Sequence, residues 1–320
     1  MLHFPVLLEE SVDFLVNDMN GHYIDCTFGR GGHSNLILSR LGKKGSLSSF
    51  DKDPFAFKYG QSIKKDNFKI YHDSFQNLSK YFKNNSIDGI LYDLGTCSTH
   101  LDDAERGFSF NKDGPLDMRM GNQPGPSASD IINLCSEATL ADLIFFYGQE
   151  RKARKIANKI VKERNKRKIN TTLELAKIIR AIVPKNLKKD PATRTFQAIR
   201  IAVNNELKDL SKALIFAEKK VRRGGTIAVL TFHSLEDKIV KDFGKLMSGN
   251  ASKTNRYRPP TSKTYPSLVA VNKKPVVATI KELDRNKRAR SAKLRVYKKV
   301  SDRPSRVLAT MEFPQIELGI

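Results

Sequence analysis

No run in this sequence approaches the roughly 18 to 20 consecutive apolar residues that a membrane helix requires. The opening stretch Met1-Leu-His-Phe-Pro-Val-Leu-Leu-Glu-Glu10 has no basic segment ahead of its apolar one and carries two acids. A transmembrane bundle and a secretory leader are therefore not expected. Cysteine is equally scarce. Cys26, Cys97 and Cys135 are odd in number, widely spaced and without a CxxC pair, which excludes a disulfide framework and a tetrahedral zinc site and fits a reducing cytoplasm. With only 19 Gly and 13 Pro among 320 residues, collagenous and low-complexity chains are excluded too. The 39% hydrophobic and 28% charged residues are a globular composition. At this length one elaborated domain or two domains are expected.

Acids are also in short supply: 34 Asp and Glu face 57 Lys and Arg, a formal charge of +23. Residues 251–306 carry 17 basic and 3 acidic side chains, and residues 151–168 carry 10 and 1. Those two segments account for the whole excess, so the charge is localised. A polyanion, nucleic acid first, is the expected partner. Neither segment has the apolar face of a membrane-surface helix.

Short apolar runs alternate with helical stretches through the N-terminal third, the signature of a parallel sheet with crossover helices. His22–Phe28 reads as a first strand, followed by the turn Gly29-Arg-Gly-Gly-His-Ser34 and a helix over Asn35–Leu41. Gly45–Asp51, Phe68–Tyr71 and Ile87–Asp93 read as the next three strands. The next convincing strand is Thr226–Phe232, more than 130 residues on, whereas a crossover needs only a dozen or so residues plus its helix. The intervening chain reads as helical. Thr139–Tyr147 and Glu150 to Arg164 come first, then a helix opened by Thr171 and Glu174 at capping-box spacing, then one long helix from Ala192 to Lys220. Beyond Phe243 the chain turns polar and basic, and this weakly patterned tail is expected to order on its partner.

A glycine-rich turn between strand and helix, followed about twenty residues later by an acid closing the next strand, places a nucleoside across the carboxyl end of a sheet. Gly29, Gly31 and Gly32 supply the turn and Asp51 the acid. NAD and S-adenosylmethionine both fit this pattern. Ser34 replaces the third glycine of the dinucleotide fingerprint, which weakens the pyrophosphate reading, and S-adenosylmethionine has no phosphate to cradle. Asp93 closes the fourth strand, where a carboxylate can accept a hydrogen bond from a substrate amine.

Several longer blocks extend this reading across the chain. They are His3-Phe-Pro-Val-Leu-Leu-Glu-Glu10, Asp25-Cys-Thr-Phe-Gly-Arg-Gly-Gly-His-Ser34, Leu101–Phe110 and Asp113-Gly-Pro-Leu-Asp-Met-Arg-Met120. Pro191–Arg200, Phe232-His-Ser-Leu-Glu-Asp237 and Arg288-Ala-Arg-Ser-Ala-Lys-Leu-Arg295 follow in order. With them the chain resembles the bacterial S-adenosylmethionine-dependent methyltransferases that modify the N4 amine of a cytidine in the decoding region of small-subunit (16S) ribosomal RNA. The resemblance implies an α/β fold, a Rossmann-like class I methyltransferase sheet with an inserted all-helical domain. Expected boundaries are 1–125 plus 213–320 for the methyltransferase domain, 126–212 for a substrate-recognition insertion, and 250–306 for an RNA-contacting tail.

By the same resemblance Gly31, Gly32, His33, Asp51, Phe75 and Asp93 line the cofactor site, with Phe75 on the adenine, and His100 stands where the family usually has Gln. Asp93 is the expected catalytic acceptor and His233 a second one. Arg194, Gln197, Arg200 and Asn204, at helical spacing, and Arg288, Arg290, Lys293 and Arg295 are expected on RNA. Phe108 and Phe110 lie in a charged loop where an aromatic could stack on an extruded base. No metal is expected, because the cofactor carries the electrophile. The partner is small-subunit rRNA or an assembled small subunit, and nothing in the sequence sets an oligomeric state. Two rivals remain: a cytosine-C5 methyltransferase using Cys97 as nucleophile, and a catalytically silent rRNA-binding assembly factor.

Overall fold

The computed structural model describes residues 5–96, 98–121, 124–184, 190–249, 265–302 and 313–320. In chain order its elements are α1 (Leu8–Leu15), β1 (His22–Asp25), α2 (Gly32–Arg40), β2 (Ser46–Asp51), α3 (Pro54–Gln61), β3 (Phe68–His72) and β4 (Ile87–Asp93). Then come α4 (Ser98–Asp102), α5 (Ala128–Leu134), α6 (Glu137–Asp142), α7 (Ala153–Arg164), α8 (Thr172–Arg180), α9 (Thr193–Asn204) and α10 (Glu206–Lys220). The chain closes with β5 (Val221–Thr231), α11 (Ser234–Met247), β6 (Leu268–Ala270), α12 (Ile280–Arg285) and β7 (Lys293–Lys299). None of these helices is long and apolar enough to cross a membrane.

Two compact units result, Met1–Gly95 with Leu207–Glu312 and Thr96–Glu206 with Phe313–Ile320. The first holds a seven-stranded sheet in the order β3-β2-β1-β4-β5-β7-β6. β1 through β5 are parallel, and β7 enters antiparallel between β5 and β6. This is the expected Rossmann-like methyltransferase sheet. β4 is buried along its length up to Asp93, as a central parallel strand covered on both faces must be. Ile24, Leu91, Leu230, Leu294 and Val296 are fully buried, as are Val12 and Leu15 of α1 and Ile37 of α2. Asp25, Asp51 and Asp93 are the last residues of β1, β2 and β4, so three carboxylates stand at one edge of the sheet.

Three expectations are corrected. β5 begins at Val221 rather than Thr226, because Gly224 at φ 88° and a register shift against β4 let the Gly-Gly segment pass as an irregular strand instead of a turn. The single helix Ala192–Lys220 is two helices, broken where Asn205 takes a left-handed φ of 51°. The tail is ordered over 265–302: alternation in Lys293–Lys299 turns Leu294 and Val296 inward, and Lys299 is buried with its ammonium 2.9 Å from the buried Glu218 carboxylate. The remainder of that expected tail, 250–264 and 303–306, lies outside the described residues.

The two units divide at 95/96 and 206/207. The cause is visible in the segment between. Pro115 bridges Thr171, Leu116 N–H donates to Asn170 O, and Thr172 N–H donates to Gly114 O. Asn204 accepts from Met120 N–H and donates to Met118 O. Residues 111–120 are thereby stitched to α8 and α9. The C-terminal residues join the same unit, where Pro314 O accepts from the Tyr147 hydroxyl and Leu318 O from the Cys135 thiol.

Candidate active site

The turn after β1 is shaped by its own chain. Gly29 and Gly31 take φ of 54° and 71°, the left-handed region that glycine enters without strain. A Cβ on Gly31 would meet the Phe28 ring at 2.9 Å, and one on Gly32 would meet Pro5 at 2.1 Å. These glycines let α2 start three residues earlier than expected, at Gly32, with Pro5 of the N-terminal block against it. Asp51 ties the turn down: its carboxylate accepts from Gly29 N–H and Asp53 N–H, both at 2.8 Å.

Inside the turn lies a network that the sequence reasoning did not assign. Asp25 is fully buried and accepts from the Ser34 hydroxyl at 2.7 Å, and Ser34 lies 2.8 Å from the Ser49 hydroxyl. Burial pushes Asp25 up to about 6, against the lowering hydrogen bonds from Ser34 and Thr27. Ser34 therefore replaces a glycine in order to hold a carboxyl. The signal was present in Tyr23-Ile-Asp25, an acid closing an apolar strand as Asp51 and Asp93 do.

Asp93 is the centre of the site. Its backbone N–H donates to the Thr27 hydroxyl, which fixes the end of β4. Oδ2 lies 3.5 Å from Nδ1 of the buried His33, and Oδ1 is buried without a hydrogen-bond partner. Burial first, then the negative charges of Asp25 and Glu236, push Asp93 up to about 8. A buried acceptor left unmatched costs about 1–3 kcal/mol, and it marks the place where a donor belongs.

His233 stands at the start of α11. It caps α11: Nδ1 accepts from Glu236 N–H at 3.4 Å, and Nε2 lies 3.1 Å from Glu236 Oε1. The Glu236 carboxylate accepts in turn from Phe232 N–H and His233 N–H. Nδ1 is thereby engaged by the helix, while Nε2 is buried without a hydrogen-bond partner. Glu236, buried and unassigned from sequence, is the group that this end of β5 contributes.

The other expected residues separate. Phe75 starts a 3-10 turn and packs edge-on to Tyr92 at 5.5 Å. His100 belongs to the second unit, buried and stacked on Phe108 at 5.1 Å. Phe110 meets Phe196 edge-on at 5.5 Å, so both loop aromatics serve packing. The polar stripe on α9 makes bonds within its own unit. Gln197 donates to Tyr147 O, Arg200 makes two 2.8 Å bonds to Glu206, and Asn204 is buried in the bonds already described. Arg194 alone is half exposed, 3.4 Å from Glu150.

In the tail Arg288 and Arg290 are exposed. Lys293 and Arg295, by contrast, both bond Asp237, at 2.9 and 2.7 Å. Burial pushes that carboxylate up, but the two cations outweigh it and hold Asp237 below its ordinary range. Arg295 is thereby a fold residue. Cys97 lies outside the described residues.

The residues present fit S-adenosylmethionine on chemical grounds. The ends of β1 and β4 and the start of α11 bring together the carboxyls of Asp25, Asp93 and Glu236, and a ligand bearing a sulfonium and an ammonium complements them. NAD, with its pyrophosphate, would meet repulsion there.

The sequence profile of the MraW methylase family matches residues 1–300. A ribosomal RNA small subunit methyltransferase H of Marinomonas sp. is 46% identical over 307 residues, covering 94% of this chain and 98% of its own. Proteins of the same name from Nitrosomonas eutropha and Caldicellulosiruptor saccharolyticus are 44% identical over 313 residues and 45% over 304. They cover 94% and 93% of this chain, and 98% and 99% of their own. A family match over residues 1–300 and identity of 44–46% over more than nine-tenths of each chain settle the relationship: the chain belongs to the MraW methylase family.

Proposed function

We propose that this protein is an S-adenosylmethionine-dependent methyltransferase of small-subunit rRNA, and that the acceptor is the exocyclic N4 of a cytidine in the decoding region. The observation that carries the chemistry is Asp93 Oδ1, a buried acceptor without a partner beside two further carboxyls. Bound S-adenosylmethionine supplies an electrophilic methyl group on a sulfonium. Gly31, Gly32 and His33 at the start of α2, Asp51 at the end of β2 and Phe75 are the residues that would hold it.

The cytosine amine is a poor nucleophile because its lone pair is drawn into the ring. Asp93, hydrogen-bonded to one amine N–H, localises that lone pair and takes up the proton once the nitrogen carries charge. A carboxyl at about 8 is matched to that task near neutral pH. His33 orients Asp93, and Glu236 orients the end of β5. The substrate is rRNA, free or in the assembled small subunit, and the setting is the cytoplasm. Asp93→Asn keeps the shape and removes the base. Transfer of labelled methyl to undermethylated small-subunit particles should fall by about 10²–10⁴-fold while cofactor affinity changes far less. Transfer undiminished in this variant would remove Asp93 from the mechanism, and no transfer by the unaltered chain would favour the silent assembly factor.

A further inference from the structure

The second unit carries a basic segment for which the methyl-transfer chemistry has no use. α7 buries Ala153, Ile156, Ala157 and Ile160. Lys155 and Lys162 therefore point outward on one line, about 10 Å apart along the axis, with Arg154 beside them and Arg151 on the turn that leads in. All four are exposed. Among the described residues no acid engages them, whereas Lys159 and Lys166 share Glu163 and Arg167 takes Glu174. A helix surface that neutralises some of its cations and leaves one line bare is arranged for an outside anion.

The second observation is apolar. The π-helical turn Leu143–Tyr147 buries Leu143, Ile144 and Tyr147 but leaves Phe145 and Phe146 51% and 40% exposed. The two rings sit edge to face at 5.0 Å and 82°. Glu150 N–H donates to Ile144 O, folding the start of α7 back onto this turn, so the aromatic pair and Arg151 flank one hydrogen bond. Exposed rings joined by one turn of chain to a line of cations that no described acid engages are the two components of a single-strand binding surface: bases stack, phosphates pair.

We propose that Phe145, Phe146, Arg151, Arg154, Lys155 and Lys162 form a binding face for single-stranded RNA on the helical unit. The identity of its natural RNA rests on the rRNA reading above. The face does not. The test uses the full chain and a labelled oligouridylate of about ten nucleotides, titrated by fluorescence anisotropy over a range of salt.

Arg151→Gln/Lys155→Gln/Lys162→Gln should flatten the dependence of log affinity on log salt by about 0.7 per lost contact, about two units in all. Phe145→Ala/Phe146→Ala should weaken binding about tenfold or more at every salt concentration with the slope unchanged. Lys155→Arg should retain both affinity and slope. S-adenosylmethionine affinity and the melting transition serve as checks of folding. Both variants binding the oligonucleotide as the unaltered chain does would overturn the proposal. If they then bind small-subunit particles less well, the face takes a ribosomal protein instead. Methyl transfer is not used here, so a chain that shows these RNA effects but transfers no methyl sinks the enzymatic reading and leaves this face standing.

Discussion

Asp93 sits in surroundings that oppose its charge, and the pH behaviour of the protein follows from that. Its carboxyl and that of Asp25 are raised from an ordinary value of 3.8 to about 8 and about 6. An acid raised on folding binds its proton more tightly in the folded than in the unfolded state. Each therefore takes stability away as pH rises from its unfolded value through its folded one. The ligand-free protein should lose stability steadily between about pH 4 and about pH 8, and Asp93→Asn should flatten the upper part of that decline; denaturant titrations at several pH values measure it.

A cation in the crevice reverses the sense. S-adenosylmethionine should bind more tightly as pH rises toward 8, and its neutral thioether product should follow less steeply. Calorimetry of both, with Asp93→Asn as control, is the check; parallel curves would mean that Asp93 does not face the sulfonium. Asp51→Ala should weaken the cofactor by about 1–3 kcal/mol, because Gly29 N–H loses its acceptor together with any contact to the ribose.

At the scale of elements, β7 changes what the basic C-terminal region means. It read as a weakly patterned, RNA-contacting tail because eight of its fifteen residues from Arg285 to Lys299 are basic and only two, Leu294 and Val296, alternate in the manner of a strand. What makes it a strand is a slot between β5 and β6 and two acids placed for its cations, Asp237 and Glu218. Neither the slot nor the acids are near in sequence. Truncation after Asp284 should therefore abolish cooperative unfolding rather than trim RNA affinity, which circular dichroism during a thermal melt would show.

Lys299→Met should cost about 3–5 kcal/mol by leaving the Glu218 carboxylate buried alone, and adding Glu218→Leu should recover most of it. A single loss well below 1 kcal/mol would mean that the pair is not buried in solution. The split of the expected long helix was similarly illegible. Val203-Asn-Asn-Glu206 contains neither Gly nor Pro, and Asn205 reaches φ 51° on the tolerance of a short amide for the left-handed region.

Across the whole molecule, local chemistry was legible and long-range stitching was not. Strand ends at Asp51 and Asp93, the glycine turn and the capping box of Thr171 with Glu174 each lie within one window of sequence, and the structure holds them as read. The division at 95/96 rests on contacts such as Asn204 reaching back to Met118 and Met120, which no local pattern announces. The acid cluster was half read for the same reason: Asp25 and Glu236 sit 211 positions apart in the chain, and only the sheet brings them to Asp93.

The central claim, methyl transfer to a cytosine amine through an acid at the end of β4, meets its most direct test in the product. Small-subunit particles lacking the modification, treated with the protein and S-adenosylmethionine, would be digested to nucleosides and resolved by chromatography and tandem mass spectrometry. N4-methylcytidine at a single decoding-region position, formed by the unaltered chain and by Cys97→Ser but not by Asp93→Asn, is the expected result. Appearance of 5-methylcytidine that vanishes in Cys97→Ser would contradict the account and assign the enzyme to ring-carbon chemistry.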